Sequence, residues 1–412
     1  MITKLQSKNF KSLRQFDINP SSLNAIVGAN GTGKTNFADL IDFLSKMARN
    51  GLREAVKDLG GLQKIRTQSK KSGSSPQMMF SISLGEDKLR GIKNVRLSFV
   101  LERGKTLKIA SEEMDAVVYK RTRGKPKMPG IPLFGDDGKR EEVIISYKRV
   151  GSKVEKWSET IGSSIQQFDY DDELIFTSYA GSSELRTISD YMGSWRVYNI
   201  DALAAKRGQE SSDLELLRYG ENISPFVARI LQEPKTRSIV LRELQEVVPY
   251  VDNIFPERLL NIQSLGFSES DSGQKFLLHE MSDGTVRLLG LLAVLRQPVP
   301  PAVIVIEEPE NALHRKAASV LLDAARAVIR QDFAPQVFVT THSPVILDDI
   351  FNLDTIHDTG LVPSCFIVQR NEDKPNITPL SPAVLEDFEN NLGRLSDFWR
   401  ENLMNDAPAG GR

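Results

Sequence analysis

Apolar residues near the start of the chain follow two kinds of spacing, and each spacing predicts a type of element. Residues 1–20 place apolar side chains among polar neighbours, which predicts one or two strands. Residues 23–27 are mostly apolar and predict a short buried strand. Apolar positions at helical spacing then predict a helix over residues 36–48. The chain is therefore predicted to begin with strands that lead into a helix.

Residues 78–160 contain several runs in which apolar and polar side chains alternate. Clear examples are residues 79–84, 95–100 and 142–147. Such alternation is typical of an antiparallel sheet with one covered face. A stretch rich in proline, glycine and basic residues, 120–138, interrupts the pattern and predicts a loop.

Residues 200–250 change to helical spacing, and we expect two or three helices there that form a lid or small subdomain. Pro234 suits the first turn of a helix, and Pro249 ends or kinks it. One face of this helix carries Val240, Leu244, Val247 and Val248. No heptad repeat is sustained along the sequence, so we expect no long coiled-coil arm.

A pattern of strands and helices in alternation returns over residues 276–345. A nearly all-apolar helix is predicted over residues 288–295. Residues 302–306 are all apolar and predict a fully buried parallel strand, and residues 337–340 predict the next strand. One face of the helix predicted between these strands carries Ala317, Leu321, Ala324 and Val328. This half of the chain therefore predicts an α/β fold.

The residues between the strand predicted at 23–27 and the following helix carry the clearest chemical motif. Residues 28–35 read Gly-Ala-Asn-Gly-Thr-Gly-Lys-Thr and fit the phosphate-loop pattern G-x-x-x-x-G-K-[ST]. Glycines let backbone N–H groups converge on an anion, and the helix start adds its dipole and free amides. Lys34 would reach the β- and γ-phosphates, and the Thr35 hydroxyl would ligand Mg²⁺. The alternative is an ordinary glycine-rich turn.

Two carboxylates follow the apolar run at residues 303–306. Adjacent side chains of a strand point to opposite faces, so Glu307 and Glu308 can have different chemical roles. Phosphoryl transfer needs Mg²⁺ and a group that orients the attacking water. We predict that Glu307 supports Mg²⁺ through water and that Glu308 orients and deprotonates the nucleophilic water. The alternative is a surface turn with two solvated acids.

Two further polar segments lie at the ends of predicted elements. His342 follows the strand predicted at 337–340, where an imidazole could hydrogen-bond a terminal phosphate. The alternative for His342 is a purely structural role. Ser282 is a good N-cap for the helix that follows it, and Gly284 lets a backbone approach closely. The alternative for this segment is a plain helix cap.

Composition narrows the classes of function. The net charge is −1, so the whole molecule is not a general binder of polyanions. Two basic patches could still contact phosphates or be solvated loops: residues 64–71, and the set Lys120, Arg121, Arg123, Lys125 and Lys127. No apolar run is long enough to span a membrane, and no signal peptide is evident. The lone cysteine, Cys365, fits a reducing cytoplasm and is expected to be a packing residue rather than a nucleophile.

Five segments resemble, in their order along the chain and in their residues, the ABC-type ATPase heads of the RecF, SMC and OLD group of AAA ATPases. They are residues 10–13, 28–35, 282–285, 307–314 and 341–344. More narrowly, the chain looks like the compact bacterial ATPases of this group that lack long arms. The resemblance implies an α/β P-loop NTPase head with an antiparallel β subdomain and a helical lid insertion, which binds and hydrolyses ATP with Mg²⁺.

From this resemblance we expect three parts in the chain. An amino-terminal ATPase lobe would occupy residues 1–200 and include the phosphate loop and the antiparallel sheet. A helical insertion would occupy residues 201–265. A carboxy-terminal ATPase lobe would occupy residues 266–412 and carry the Ser282 segment, the acidic strand and His342.

The resemblance also implies that two heads face each other and share ATP, so that the chain acts as a homodimer or higher oligomer. Ser282 and Gly284 of one copy would contact the γ-phosphate bound by the other, and Asn311 would lie at the boundary between copies. The implied catalytic set is Lys34, Glu308 and His342, and the implied metal contacts are Thr35 and Glu307. The other implied nucleotide contacts are Lys11, Ser12, Asn30, Gly31, Gly33 and Asn36.

Two residues depart from the family's pattern. Glu307 stands where many such heads carry Asp, and its longer side chain puts direct metal ligation in question. Asp283 stands where a second glycine is common and adds a negative charge near a phosphate, which would slow hydrolysis or weaken closure. The glutamine that usually senses Mg²⁺ has no clear counterpart, and Gln63 and Gln68 are weak candidates.

The sequence leads to one main functional hypothesis and two alternatives. The main hypothesis is an ATPase whose head dimer opens and closes with ATP and acts on nucleic acid or on a partner effector or nuclease polypeptide, in DNA maintenance or anti-phage defence. The first alternative is an ATP-sensing scaffold with negligible turnover. The second is an OLD-type nuclease, for which the short chain after His342 leaves little room.

Overall fold

The chain divides into two compact units. The computed structural model describes residues 1–65, 77–103, 107–120, 141–162, 165–170, 172–179, 182–207, 215–259, 262–270, 272–370, 376–381 and 394–400. The first unit comprises Met1–Arg196 with Ser364–Leu380, and the second comprises Val197–Pro363 with Ser381–Arg412. Gln68 and most of both basic patches lie outside the described residues. The three-part division predicted from the sequence stays a prediction.

A single sheet forms the framework of the first unit. Its strands are β1 (Ile2–Phe10), β2 (Leu13–Ile18), β3 (Leu23–Val27), β4 (Met78–Leu84), β5 (Ile92–Arg103), β6 (Leu107–Tyr119), β7 (Glu142–Val150), β8 (Lys153–Trp157), β15 (Ser364–Val368) and β16 (Ile377–Pro379). Their spatial order is β8-β7-β6-β5-β4-β1-β2-β16-β15-β3. The first unit therefore combines strands from both ends of the chain.

The strands of this sheet pair in two ways. Neighbours from β4 to β8 are antiparallel, as the alternating pattern predicted. By contrast, β15 pairs with β3 in parallel. Every residue of β3 is buried, which agrees with its nearly continuous apolar sequence. A late segment of the chain thus fixes the strand that leads into the glycine-rich loop.

The helices of the first unit are α1 (Lys34–Asn50), α2 (Leu52–Asp58), α3 (Leu62–Ile65), α4 (Ile175–Ser178) and α5 (Ser183–Gly193), with a 3-10 turn at Glu159–Ile161. An aromatic cluster holds α1 on the sheet. The ring of Phe43 lies 5.5 Å from that of Phe10 and 5.7 Å from that of Phe80, and Phe80 stacks on Phe99 at 4.9 Å. Such contacts bury large apolar area and fix the helix on the sheet.

A buried ion pair ties β6 and β7 to α4. The side chains of Glu112 and Arg149 are fully buried, and Arg149 Nε donates to Glu112 Oε2 at 3.1 Å. The hydroxyl of Tyr147 donates to Glu112 Oε1 at 2.5 Å, and the Ile175 amide donates to both carboxylate oxygens. A buried pair is tolerated when hydrogen bonds satisfy its remaining polar atoms, as they do here. This network is structural and leaves the carboxylate fully engaged.

The second unit contains helices and two small groups of strands. Its helices are α6 (Ala202–Arg207), α7 (Ile223–Ile230), α8 (Pro234–Gln245), α9 (Asp283–Arg296), α10 (Arg315–Val328), α11 (Pro344–Ile350), α12 (Leu353–Thr359) and α13 (Leu395–Arg400). Its strands are β10 (Val251–Leu259), β11 (Ile262–Glu269), β12 (Lys275–Leu277), β13 (Val303–Glu307) and β14 (Gln336–Thr341). Strand β9 (Arg196–Tyr198) spans the boundary between the units, and 3-10 turns lie at Leu278–Glu280 and Pro309–Asn311.

Strands β13 and β14 form the buried centre of the second unit. They pair in parallel, with Val305 opposite Phe338, and every residue of both strands is buried. Helix α9 begins at the residue after Ser282 and is buried from Thr285 to Leu295. Its lack of a polar face agrees with a helix enclosed by the protein. The predicted strand–helix–strand pattern is confirmed here.

The region predicted as helical contains helices and a sheet. Three helices, α6 to α8, occupy its first part, with Pro234 in the first turn of α8 as predicted. The small antiparallel sheet β10-β11-β12 follows and was not predicted. Pro256 lies inside β10, and a proline within a segment of sequence indicates that the segment is not a central strand. However, β10 is the edge strand of this sheet, where proline is tolerated.

Candidate functional site

The loop between β3 and α1 has the backbone that the phosphate-loop motif predicts. Gly31 and Gly33 have positive φ angles of 78° and 123°, which side chains disfavour. A Cβ added to Gly33 would lie 2.9 Å from Ser12 Oγ. A Cβ added to Gly28 would lie 2.6 Å from Thr32 Oγ1 and 2.7 Å from the Val368 carbonyl oxygen. The loop is therefore a tight cradle that only glycine fits at these points.

The two residues after the cradle begin α1. Lys34 is 3% exposed, and its Nζ donates to the carbonyl oxygens of Gly28 at 2.8 Å and Ala29 at 3.2 Å. The ammonium group thus lies over the loop and close to its backbone. Thr35 is exposed at the same helix start. A positive charge, a helix N-terminus and an open hydroxyl together suit a phosphate group with its Mg²⁺.

The turn between β1 and β2 is attached to α1 by polar side chains. Lys11, which has a positive φ of 49°, places its Nζ 2.6 Å from Asp39 Oδ2. The Asn36 side chain donates to Ser12 Oγ at 2.5 Å. The structure thus brings Lys11, Ser12 and Asn36 together at the start of α1, while their contact with a nucleotide stays a prediction.

The end of β13 gives its two glutamates different surroundings. Glu307 is 3% exposed, whereas the side chain of Glu308 is 25% exposed. Glu308 adopts the left-handed conformation, with φ 42° and ψ 61°. Its amide donates to the Thr340 carbonyl oxygen at 2.9 Å and so continues the pairing with β14. A left-handed conformation is uncommon for a non-glycine residue and is a recurring feature of functional turns.

The carboxylate of Glu308 is held from within the same turn. The side-chain amide of Asn311 donates to Glu308 Oε2 at 2.9 Å. Arg287 Nη1 donates to the Glu308 carbonyl oxygen at 3.3 Å, and burial lowers the pKa of this arginine. Asn311 therefore contacts Glu308 of its own chain, and the position predicted for it between two copies stays a prediction.

Glu310 is a further acid at this site that the sequence analysis did not single out. Its Oε1 accepts hydrogen bonds from Thr341 Oγ1 at 2.7 Å and from the His342 amide at 2.8 Å. His342 Nδ1 lies 3.2 Å from the same oxygen and 3.8 Å from Glu308 Oε1. Glu310 therefore fixes the backbone at His342 and lies beside its ring. The signal for it in the sequence is the run of three acids at 307, 308 and 310.

The Ser282 segment is a helix cap with an unexpected charge balance. Ser282 Oγ accepts from the Thr285 amide at 3.2 Å, and a Cβ added to Gly284 would lie 2.6 Å from the Ala312 carbonyl oxygen. Asp283 is paired, with Lys206 Nζ 2.6 Å from its Oδ1. The negative charge expected at this position is thus balanced by a lysine of α6, which sequence spacing could not reveal.

Cys365 and the carboxylates of the described residues differ in what they could bind. Cys365 is buried in β15, and burial raises the pKa of its thiol to about 12, which disfavours the reactive thiolate. Within the described ranges, no group of three or more His, Cys, Asp or Glu side chains could by itself hold a metal ion. The hydroxyl oxygen of Thr35 is the kind of ligand that Mg²⁺ prefers, and an ion that arrives with a nucleotide would take its other ligands from phosphate and water.

The fold and the loop between β3 and α1 define the chain as a P-loop ATPase head of the ABC type, and comparison with known proteins agrees. Residues 23–348 match the family described as "AAA domain, putative AbiEii toxin, Type IV TA system". Since this match includes most of the sequence, the chain belongs to that AAA family. None of the curated proteins matches it.

Two solved structures of SMC head domains are similar to this chain. One is an SMC head bound to the C-terminal winged-helix domain of ScpA, with 14% identity, a TM-score of 0.53, and coverage of 94% of this chain and 99% of the other. The second is an SMC head with an extended coiled coil from Pyrococcus furiosus, bound to the C-terminal domain of ScpA. It has 11% identity and a TM-score of 0.51, and the match covers 95% and 99% of the two chains. The likeness confirms the predicted ABC-type head fold.

Proposed function

We propose that this chain binds ATP with Mg²⁺ and hydrolyses the β–γ phosphate linkage. The observation that carries the proposal is the glycine cradle around Lys34. A loop of glycines, the N-terminus of α1 and a buried ammonium group occur together, and this combination favours a polyphosphate over other ligands. Membership of the AAA family supports the same ligand.

Two residues are proposed to support the cation. Thr35 offers an exposed hydroxyl at the start of α1, and Glu307 offers a buried carboxylate at the end of β13. Mg²⁺ would neutralise charge that develops on the phosphate oxygens. We propose that Thr35 ligates the ion directly and that Glu307 accepts a hydrogen bond from a water bound to it.

Glu308 is proposed as the general base. Its partly exposed carboxylate can accept a proton from water, and Asn311 holds one of its oxygens. His342, fixed through Glu310, is proposed to donate a hydrogen bond to the terminal phosphate. Water then attacks the γ-phosphorus directly, the bond from this phosphorus to the bridging oxygen of ADP breaks, and Glu308 takes the proton of the water.

A second copy of the chain is proposed to complete the site. Ser282 is exposed at the N-terminus of α9, which has free amides for an anion. Lys206 neutralises Asp283 beside it, so the segment no longer repels a phosphate. We propose that Ser282 and Gly284 contact the γ-phosphate bound by the partner copy, and that ATP therefore favours a homodimer.

The motion of such a dimer is proposed to act on a partner. Both similar SMC heads were solved with a domain of ScpA, and the family description names a toxin of a toxin–antitoxin system. These observations support a protein effector and a role in defence, with DNA maintenance as the wider possibility. A nucleic-acid role depends on the basic patches, of which Lys64 is exposed and Lys120 pairs with Glu141 at 2.9 Å.

A glutamate-to-glutamine substitution tests the proposed chemistry. We expect Glu308→Gln to retain ATP binding and to lower the rate of phosphate release about 10²- to 10⁴-fold, because the amide cannot accept the proton. Glu246→Gln, at the exposed end of α8, is the matched control and should hydrolyse ATP at the wild-type rate. Steady-state phosphate release and nucleotide binding are measured on the same samples.

Two outcomes of this experiment would count against the proposal. Normal hydrolysis by Glu308→Gln would show that Glu308 is not the base. A wild-type chain that binds ATP but releases no phosphate, even with duplex DNA added, would favour the ATP-sensing scaffold instead.

A further inference from the structure

Arg218 lies directly on Glu307, the buried acid at the end of β13. Arg218 Nε donates to Glu307 Oε1 at 3.1 Å, and Arg218 Nη2 donates to the same oxygen at 2.5 Å. The side chain of Glu307 is 2% exposed and that of Arg218 is 17% exposed. Two charge-assisted hydrogen bonds in so dry a place make a strong and directional pair. The pair is therefore a buried, well-defined interaction, unlike a solvent-exposed ion pair at the surface.

The segment that carries Arg218 is itself held in place. The Arg218 carbonyl oxygen accepts from the Asn199 amide at 2.9 Å. The fully buried side chain of Asn222 accepts from the Leu217 amide at 2.9 Å and donates to the Glu215 carbonyl oxygen at 2.8 Å. These bonds fold residues 215–222 into one conformation and aim the guanidinium group at β13. Arg218 is thus preorganised before any ligand arrives.

The pair has two physical consequences. A buried carboxylate without a counter-charge is costly, so Arg218 lets Glu307 stay ionised inside the second unit. A fixed positive charge beside Glu307 also repels a divalent cation and competes with it for the carboxylate. Ligation of Mg²⁺ at Glu307 Oε1 would require this pair to break, and ligation at Oε2 would place the ion next to the guanidinium charge.

We propose that Arg218 is a positioning residue that keeps Glu307 from ligating Mg²⁺ directly and holds it as an acceptor for a metal-bound water. The role rests on the proposed function, since Mg²⁺ enters the site with ATP. Arg218 also sets the Mg²⁺ concentration that the chain needs in order to bind the nucleotide. Its charge makes the site selective for a nucleotide that brings its own metal, and it weakens capture of a free cation.

The first test measures thermal unfolding without nucleotide or metal. We expect Arg218→Gln to lower the Tm by about 5 °C or more, because the buried carboxylate of Glu307 loses the guanidinium charge beside it. Arg218→Gln combined with Glu307→Gln should recover most of this loss, since no buried charge remains. Arg242→Gln, at an exposed arginine of α8, is the control and should leave the Tm unchanged.

The second test measures the Mg²⁺ concentration that gives half-maximal binding of a fluorescent ATP analogue. We expect Arg218→Gln to lower this concentration about tenfold, because the repelling charge is gone and Glu307 can ligate the ion. The double variant should need at least as much Mg²⁺ as the wild type. A purely structural role for Arg218 would lower the Tm without shifting the Mg²⁺ dependence.

The outcomes separate this inference from the proposed function. Either of two results would overturn the role of Arg218 even if ATP binds normally. One is that the Tm changes of Arg218→Gln and Glu307→Gln, each measured alone, add up in the double variant. The other is an unchanged Mg²⁺ dependence in Arg218→Gln. A wild-type chain that binds no nucleotide would overturn the proposed function and, with it, the role of Arg218 toward Mg²⁺. If Arg218→Gln alone does not fold, a folded double variant supports the pairing and an unfolded one contradicts it.

Discussion

Three glutamates lie within four residues at the end of β13, and each has a different role in the structure. Glu307 is buried against Arg218, Glu308 is partly exposed in a left-handed turn, and Glu310 accepts hydrogen bonds from the Thr341–His342 segment. We therefore propose different roles for the same chemical group: Glu307 supports a metal and Glu308 accepts a proton, while Glu310 holds its neighbours, because burial and partners differ. These are the residues on which the proposed chemistry depends.

Lys34 provides the sharpest test at the scale of a single residue. We expect Lys34→Ala to weaken ATP binding about 100-fold or more, because charge-assisted bonds to the phosphates are lost. Folding should change little, since the hydrogen bonds from Lys34 to the carbonyl oxygens of Gly28 and Ala29 lie within one loop. Lys46→Ala, on the same helix, is the control and should bind ATP normally. Calorimetric titration with ATP measures both; micromolar binding by Lys34→Ala would contradict the assignment of the loop.

Some residues of the proposed site can be identified from local sequence motifs and others cannot, for a physical reason. Lys34, Thr35 and Glu308 belong to local motifs whose spacing encodes their geometry. Arg218 lies 89 residues from Glu307, and Lys206 lies 77 residues from Asp283. Their pairing depends on how the chain folds between them, which periodicity does not report.

At the scale of elements, the start of α9 is the segment proposed to meet a second copy. Most of α9 is buried, so its packing and not its cap holds the helix in place. Its first residues are exposed and keep the amides of a helix N-terminus. The elements themselves were largely predictable, because β13, β14 and α9 have uniform apolar patterns. The sheet β10-β11-β12 was not predictable, because Pro256 lies in its edge strand and a proline within a sequence indicates that a strand is absent.

Ser282→Arg tests this element. The change removes the N-cap, which costs about 1 kcal/mol, and places a bulky charge where the partner's phosphate is proposed to lie. We therefore expect ATP-dependent association to be lost while a single copy still binds ATP. Ser272→Arg, in an exposed turn of the same unit, adds the same group elsewhere and should associate like the wild type. Sedimentation with ATP distinguishes the two; association by Ser282→Arg would remove α9 from the proposed interface.

At the scale of the whole molecule, the chain combines a head of the ABC type with an antiparallel sheet and a group of helices. Within the described residues every helix is too short or too polar to cross a membrane. The likeness to SMC heads concerns the fold, while the residues that balance charge around Glu307 and Asp283 are features of this chain. The role proposed for Glu307 toward a metal therefore depends on Arg218, a residue of the same unit.

The mass of the Glu308→Gln variant in solution is the most direct measurement. In this variant ATP should bind without being cleaved, so the shared site stays closed. Light scattering should show a mass near twice 46.0 kDa with ATP and Mg²⁺, and a mass near 46.0 kDa without nucleotide. A mass of 46.0 kDa with ATP bound, together with wild-type hydrolysis that is independent of protein concentration, would contradict a site completed by two copies.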